Sequence, residues 1–182
     1  MEHVIRAIRA DEWRKVKELR LAAVSDPAAP IAFLETLEQA SAQPDSFWQA
    51  RAQGSHRLGG DALQFVAEAP DGEWAGSVTV LVEPAGGTGI FGEPIPVAQG
   101  HLVGVFVRAE HRGNGLIQAL IEAAVEWAWE HEEPRLERMR LFVHERNARA
   151  AGAYGRYGFV ASGLTVPTDV EGDLEVEMVL TR

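Results

Sequence analysis

At 182 residues and 46% hydrophobic content, the chain is long enough to bury a proper core, and the usual length prior makes residues 1–182 a single domain. A formal net charge of −10, from 17 basic against 27 acidic residues, argues against a nucleic-acid partner, because that binding rests on neutralising phosphates; it suits a cationic ligand, although solubility alone would account for it. Cysteine is absent, which excludes disulfides, thiolate metal ligands and an acyl-cysteine intermediate, and without an apolar signal core or a run of 18 apolar residues no membrane partner is expected and the cytoplasm is the default location.

Val4 to Arg9 alternates apolar and polar residues, as a strand does. Asp11 is placed to cap a helix whose apolar stripe, Trp13, Val16, Leu19, Leu21 and Val24, ends before Pro27. Residues 25 to 60 are rich in Ala, Pro, Ser and Gln. They hold two short helical stretches, around Ile31 to Ala40 and Ser46 to Ala52, with Phe33, Leu37, Phe47 and Trp48 spaced to face inward. Asp61 to Glu68 and Trp74 to Glu83 read as two strands joined by the turn Ala69, Pro70, Asp71 and Gly72. Pro84 to Gln99, with four Gly and three Pro, is a long loop of the kind that often carries function. His101 to Val107 is the next strand. In the helix that follows, Leu116, Leu120, Ile121, Ala124, Val125 and Ala128 share one face while Glu122, Glu126 and Glu130 share the other. Met139 to Val143 is a strand, Asn147 to Tyr157 a helix, and from Phe159 onward comes a final pair of strands ending in Leu174 to Leu180. Strands dominate, with helices inserted at intervals. The expected class is α+β (mixed α/β): a mixed, mostly antiparallel sheet with helices on both faces.

The stretch from Val105 to Ala128 carries the chemistry. Gly113 and Gly115 lack a Cβ, so the chain can turn sharply and point successive N–H groups into one concavity. A helix opening at Gly115 or Leu116 adds unpaired N–H groups and the positive end of its dipole, and Arg112 adds a full charge at the rim. Such a phosphate cradle is built mostly from main chain, which leaves the side chains at Asn114 and Leu116 unconstrained. A strand, a glycine turn and a helix also occur in proteins that bind nothing. The loop lacks the Lys and Ser/Thr of a Walker loop, and Gln118 stands at the third glycine of a dinucleotide fingerprint.

The loop resembles motif A of the GNAT superfamily of N-acetyltransferases, Q/R-x-x-G-x-G/A. Here it reads Arg112, Gly113, Asn114, Gly115, Leu116 and Ile117, with Ile at the last position in place of Gly or Ala. A second motif, N-x-x-A-x-x-x-Y-x-x-x-G-F, is reproduced by Asn147, Ala150, Tyr154, Gly158 and Phe159 in the right order and at the right distance.

The resemblance implies acetyl-CoA as co-substrate and direct transfer of its acetyl group to a primary amine in a ternary complex, with which the absence of Cys is compatible. It further implies that Arg112, Gly113, Asn114, Gly115, Leu116 and Ile117 hold the pyrophosphate. Backbone groups of Val105 and Val107, on either side of Phe106, would pair with the pantetheine arm like an added strand. Asn147 either orients the coenzyme or caps its own helix. Tyr154 follows two helical turns later, and a phenol with a pKa of about 10 can protonate a thiolate leaving group, so it is the general acid; the alternative is a plain core tyrosine. Glu68, His101 and His144 are the candidates for the base. His101 ranks first because relatives often carry a strand carboxylate there and histidine titrates near neutrality. Gly158 and Phe159 are given no chemical role. No metal is expected: His111 and His131 are isolated, and His144 and Glu145 are adjacent rather than helix-facing. Residues 25 to 60 would fold over the acceptor site and help set substrate choice. The expected partner is a small-molecule amine, with a peptide α-amine or lysine as the enzymatic alternative, and homodimerisation is left open. The rival from another class is an acyl-CoA sensor that keeps the cradle without turnover.

Overall fold

The computed structural model describes residues 2–57 and 60–182; positions 58 and 59 of the 25 to 60 segment lie outside it. Seven strands form one sheet: β1 (Val4–Ala7), β2 (Ala62–Glu68), β3 (Trp74–Glu83), β4 (Gln99–Val107), β5 (Arg138–His144), β6 (Val160–Pro167) and β7 (Leu174–Thr181). Their order is β1-β2-β3-β4-β5-β7-β6, with β4 and β5 parallel and the other neighbours antiparallel. The helices are α1 (Trp13–Val24), α2 (Leu37–Ser41), α3 (Asp45–Gly54), α4 (Leu116–Glu130) and α5 (Ala148–Tyr157). Among the described residues, no helix is long and apolar enough to cross a membrane.

The sheet is covered on both faces because its strands alternate. On β2, Leu63, Phe65 and Ala67 join the core beneath α4 and α5, while Val66 points the other way, into a second core with Val16 and Leu19 of α1 and Trp48 of α3. The six apolar residues of the α4 stripe are all buried, so the helical period of the sequence became the packing face of the helix. Burying one such Leu or Ile contributes about 1.5–3 kcal/mol.

Three expectations fail in the first third of the chain. Asp11 does not cap α1. The N-cap position falls on Glu12, whose carboxylate makes no capping bond because Arg6 (2.9 and 2.7 Å) and Arg9 (2.7 Å) hold it instead. The α1 stripe closes through Ala23, leaving Leu21 half-buried. The helix expected over 31 to 40 shrinks to a 3₁₀ turn, Ala29–Ile31, followed by the short α2. Thr36 and Gln39 form a capping box that starts α2 late. Leu37 consequently lies 44% exposed, and Ala40 takes the inward position.

Two irregularities of β4 prepare the site. Opposite β3, Thr79 pairs with Val103 and Ser77 with Phe106, so Gly104 and Val105 together face Val78 alone. This is a bulge, and Gly104 takes the left-handed φ of +62° that it requires. Toward β5, the registered pairs run only from Gln99–Arg138 to His101–Arg140. Beyond His101 the two strands part, and the gap between them opens into the site.

Candidate active site

The loop after β4 forms the concavity anticipated from its glycines. Gly113 (φ +83°) and Gly115 (φ +82°) both sit in the left-handed region, and a Cβ on either would meet nothing within 4 Å. Backbone conformation, not crowding, therefore requires glycine here, and the space beside it is open. Gly115 is the N-cap of α4 and no side chain caps that helix, so the first-turn N–H groups are left for a ligand.

Val105, Phe106, Val107, Arg112, Gly113, Asn114, Gly115, Leu116, Ile117 and Asn147 all line one cavity of about 470 Å³. Their individual roles differ from the expectations. Arg112 is not a free rim charge: its Nε donates to the Val107 carbonyl (2.8 Å) and its terminal nitrogen pairs with Asp26 (2.5 Å). Burial opposes ionisation of Asp26, but bonds from the Ala28 N–H and from Arg112 outweigh it and hold the carboxyl below its usual range. The Val107 carbonyl therefore already accepts one hydrogen bond before any ligand arrives. Leu116 is constrained after all, since its side chain is buried in the main core. Ile117 is half-buried against that core while walling the cavity. The Asn147 oxygen accepts from the Ala150 N–H (3.2 Å), capping α5, and its amide donates to the Ile31 carbonyl (3.3 Å), strapping the 3₁₀ turn to α5. Arg149 and Arg156 also line this cavity, and the sequence reading missed them. Their spacing of seven, two turns on one helix face, was the available signal.

A second cavity of about 220 Å³ opens where β4 and β5 part. The two cavities share Ala32, Phe33, Val105, Asn147, Ala150 and Tyr154. Tyr154 thus stands at their junction, only 8% exposed. Burial, with the nearby charge of Glu175, raises its phenol above the usual value, and no hydrogen bond engages its hydroxyl among the described residues.

The three candidate bases separate. His101 lines the second cavity but is 1% exposed, with Nδ1 3.3 Å from Glu83 and its ring edge-on to Phe142. Glu83 belongs to a buried cluster: it accepts from Arg140 at 2.8 and 2.9 Å, and Arg140 also reaches Glu177 (3.1 Å) and Glu93 (2.6 Å). Although burial opposes its ionisation, the bonds from His101 and Arg140 bring the Glu83 carboxyl down to about 2. His144 also lines the cavity, yet its Nδ1 accepts from the Arg146 N–H (3.1 Å), so Nε2 carries the proton and donates to Asp173 (3.1 Å). Neither nitrogen is left to act as a base. Glu68 is removed from the site altogether: it borders neither cavity and is bonded to Arg6 and to Trp74 Nε1 (3.2 Å) at the far end of the sheet.

Glu175 is the residue the sequence reading passed over. It faces His144 across the β5–β7 ladder and lines the second cavity. Burial raises its carboxyl above the usual range, and no hydrogen bond or ion pair engages it among the described residues. Two glutamates at alternate positions of β7, Glu175 and Glu177, were the visible sign, since both must lie on one face of a buried strand. His111, isolated in the sequence, is brought within 4.8 Å of Glu73 and Glu110 by the fold. Arg108 already sits 3.6 Å from Glu73 there, and the cluster is given no role.

The sequence profile of the acetyltransferase (GNAT) family matches residues 13–159. No curated protein matches the sequence. Among solved structures, the acetyltransferase of GNAT family from Streptococcus pneumoniae superposes over 100% of both chains at 18% identity with a TM-score of 0.75. Arabidopsis thaliana NAA60 in complex with a bisubstrate analogue covers 99% of this chain and 98% of its own at 19% identity, TM-score 0.69. Spermidine N-acetyltransferase from Vibrio cholerae, in complex with CoA and spermine, covers 98% and 95% at 16% identity, TM-score 0.69. At these identities the likeness is one of fold.

Proposed function

Because the chain belongs to the acetyltransferase (GNAT) family, we propose that it moves an acetyl group from acetyl-CoA directly to a primary amine of a small molecule, within a ternary complex. The coenzyme lies in the larger cavity and the amine in the smaller. The observation that carries this reading is Tyr154, which borders both cavities where a thioester from one would meet a nucleophile from the other.

The residues present suit the coenzyme's anionic groups. The uncapped N-terminus of α4 offers main-chain donors, the open sides of Gly113 and Gly115 allow close approach, and Arg149 and Arg156 add positive charge. The gap between β4 and β5 leaves backbone near Val105 for an extended arm, while Val107 is held by Arg112. Bound acetyl-CoA supplies the activated acetyl thioester. As the amine bonds to the acetyl carbon and the carbon–sulfur bond breaks, the Tyr154 hydroxyl gives its proton to the departing sulfur. Its raised pKa keeps that proton in place at neutral pH. With no cysteine in the chain, transfer needs no acyl-thioester on the protein. The size of the acceptor cavity, about 220 Å³, suits a small amine.

Thermal unfolding with acetyl-CoA, CoA and ATP tests the proposal. Coenzyme at a hundredfold excess over its Kd stabilises by about 2.7 kcal/mol, which for a chain of this size raises Tm by about 5–11 °C. A smaller shift with ATP is expected. No shift with millimolar coenzyme would overturn the reading.

A further inference from the structure

Resting on that acetyl-transfer reading, we infer that the acceptor is a monoamine with an uncharged, largely apolar body, whose ammonium is received by Glu175, which takes its proton. The charged and titratable side chains that line the acceptor cavity among the described residues are Arg20, His101, His144 and Glu175, with the Tyr154 phenol at the junction. Each of the first three is engaged. Arg20 pairs with Glu35 (2.8 Å) and lies over the Phe33 ring at 4.7 Å; His101 meets Glu83; His144 is held between Arg146 and Asp173. Of the four charged or imidazole side chains, only Glu175 has no hydrogen-bond or ion-pair partner among the described residues. A desolvated carboxylate without a counter-charge is costly, so a chain that keeps one facing a cavity keeps it for a cation that arrives there.

The walls describe the remainder of the ligand. Phe33, Phe91 and Phe142 present aromatic surface to the cavity, with Ile31, Ile90 and Leu141 between them. Leu34 and Ile90 extend the apolar surface outward, 60% and 55% exposed. Rings attract an ammonium by their faces and pack an apolar body by their area. One carboxylate neutralises one ammonium. A second ammonium, as in a polyamine, would find no second carboxylate among the described residues that line the cavity, and that mismatch selects against it.

The proton balance closes on this chain's own groups. Glu175 takes one proton from the bound ammonium, and the freed nitrogen pair forms the bond to the acetyl carbon. The carbon–sulfur bond breaks and the sulfur takes the Tyr154 proton. The phenolate then takes the second proton from nitrogen, leaving the amide, and Glu175 releases its proton to solvent. The two proton-carrying groups, Glu175 and Tyr154, border the same cavity.

Phenethylamine and spermidine, offered with acetyl-CoA to the wild type, Glu175→Gln and Glu175→Asp, test the inference, with CoA affinity measured calorimetrically for all three. The wild type should prefer phenethylamine at least tenfold in kcat/KM. Glu175→Gln should bind CoA as the wild type does, lose roughly 10²-fold in kcat and lose the acidic limb of its pH–rate profile, while Glu175→Asp recovers part of the rate. Preference for spermidine, or an unchanged rate and profile in Glu175→Gln, would overturn it. A wild type that fails to bind CoA fails the acetyl-transfer reading instead. If CoA binds and neither amine is turned over, phenethylamine titrated into the CoA complex decides: affinity lost in Glu175→Gln supports the role of Glu175, and equal or absent binding in both removes it.

Discussion

Arg140 gives the sharpest test of how the smaller cavity is held together. Its guanidinium, 1% exposed, lies among three carboxylates: two bonds to Glu83, one to Glu177, and a 2.6 Å contact to Glu93. Glu93 belongs to the loop between β3 and β4, and its other oxygen accepts the Phe91 N–H (2.9 Å), so the cluster fastens the loop that brings Ile90 and Phe91 to the cavity. Arg140→Met keeps much of the stem and removes the charge. Two routes give the magnitude. Breaking a buried ion pair from one side costs about 3–5 kcal/mol. Holding the Glu83 carboxyl at about 2 rather than 4.5 corresponds to about 3 kcal/mol, at about 1.4 kcal/mol per pH unit, an amount that the bonds from His101 and Arg140 supply together. The variant should therefore lose about 3–5 kcal/mol at neutral pH, or about 6–20 °C in Tm, read by urea and thermal unfolding. The sign with pH follows from the direction of the shift. A depressed carboxyl stabilises the fold above its unfolded value, 4.5, and that contribution fades as pH falls toward about 2. The gap between wild type and variant should be widest near neutrality and close through that acid window. A loss below about 1 kcal/mol, or a gap that does not narrow in acid, would refute the reasoning.

Tyr154→Phe should leave CoA affinity intact and lower kcat by roughly 10²-fold or more; because the hydroxyl has no hydrogen-bond partner among the described residues, unfolding should show no loss of stability. An unchanged rate across pH would remove it as general acid. Gly115→Ala forces a Cβ into a φ of +82°, at about 1–2 kcal/mol, and should weaken CoA binding as the start of α4 shifts; urea unfolding and calorimetry together check this, and an undisturbed variant would sink the cradle geometry. Arg149→Gln and Arg156→Gln should each weaken CoA roughly tenfold or more, since a hydrogen bond to a charged group contributes about 1.5–3 kcal/mol. Affinities within about twofold of wild type for both would show that neither meets the coenzyme.

Hydrophobic period and turn chemistry act over a few residues, and what depends on them was legible in the chain. The stripe from Leu116 to Ala128 specified the buried face of α4, the Ala69 to Gly72 turn specified the β2–β3 hairpin, and Gly113 and Gly115 specified the left-handed turns that open the cradle. Asn147 capped its helix as its position suggested. Capping was misjudged at Asp11 because Arg6 and Arg9, six and three positions before Glu12, hold the carboxylate at the cap position without the cap bond forming.

Charge pairing is where local reading gave out. Arg112 looks free until the fold brings up Asp26, 86 positions away, and Glu68 looks near the site until β1 delivers Arg6 to it. His144 and Glu175 become neighbours only because β7 returns to pair with β5. By itself, then, the sequence determined most of the elements, the glycine turns ahead of α4 and the position of Tyr154 on α5, each encoded within one or two helical turns or a single hairpin. Only the tertiary structure decided which charged groups are neutralised and which, like Glu175, is left facing a cavity, because desolvation and pairing depend on distant strands becoming neighbours.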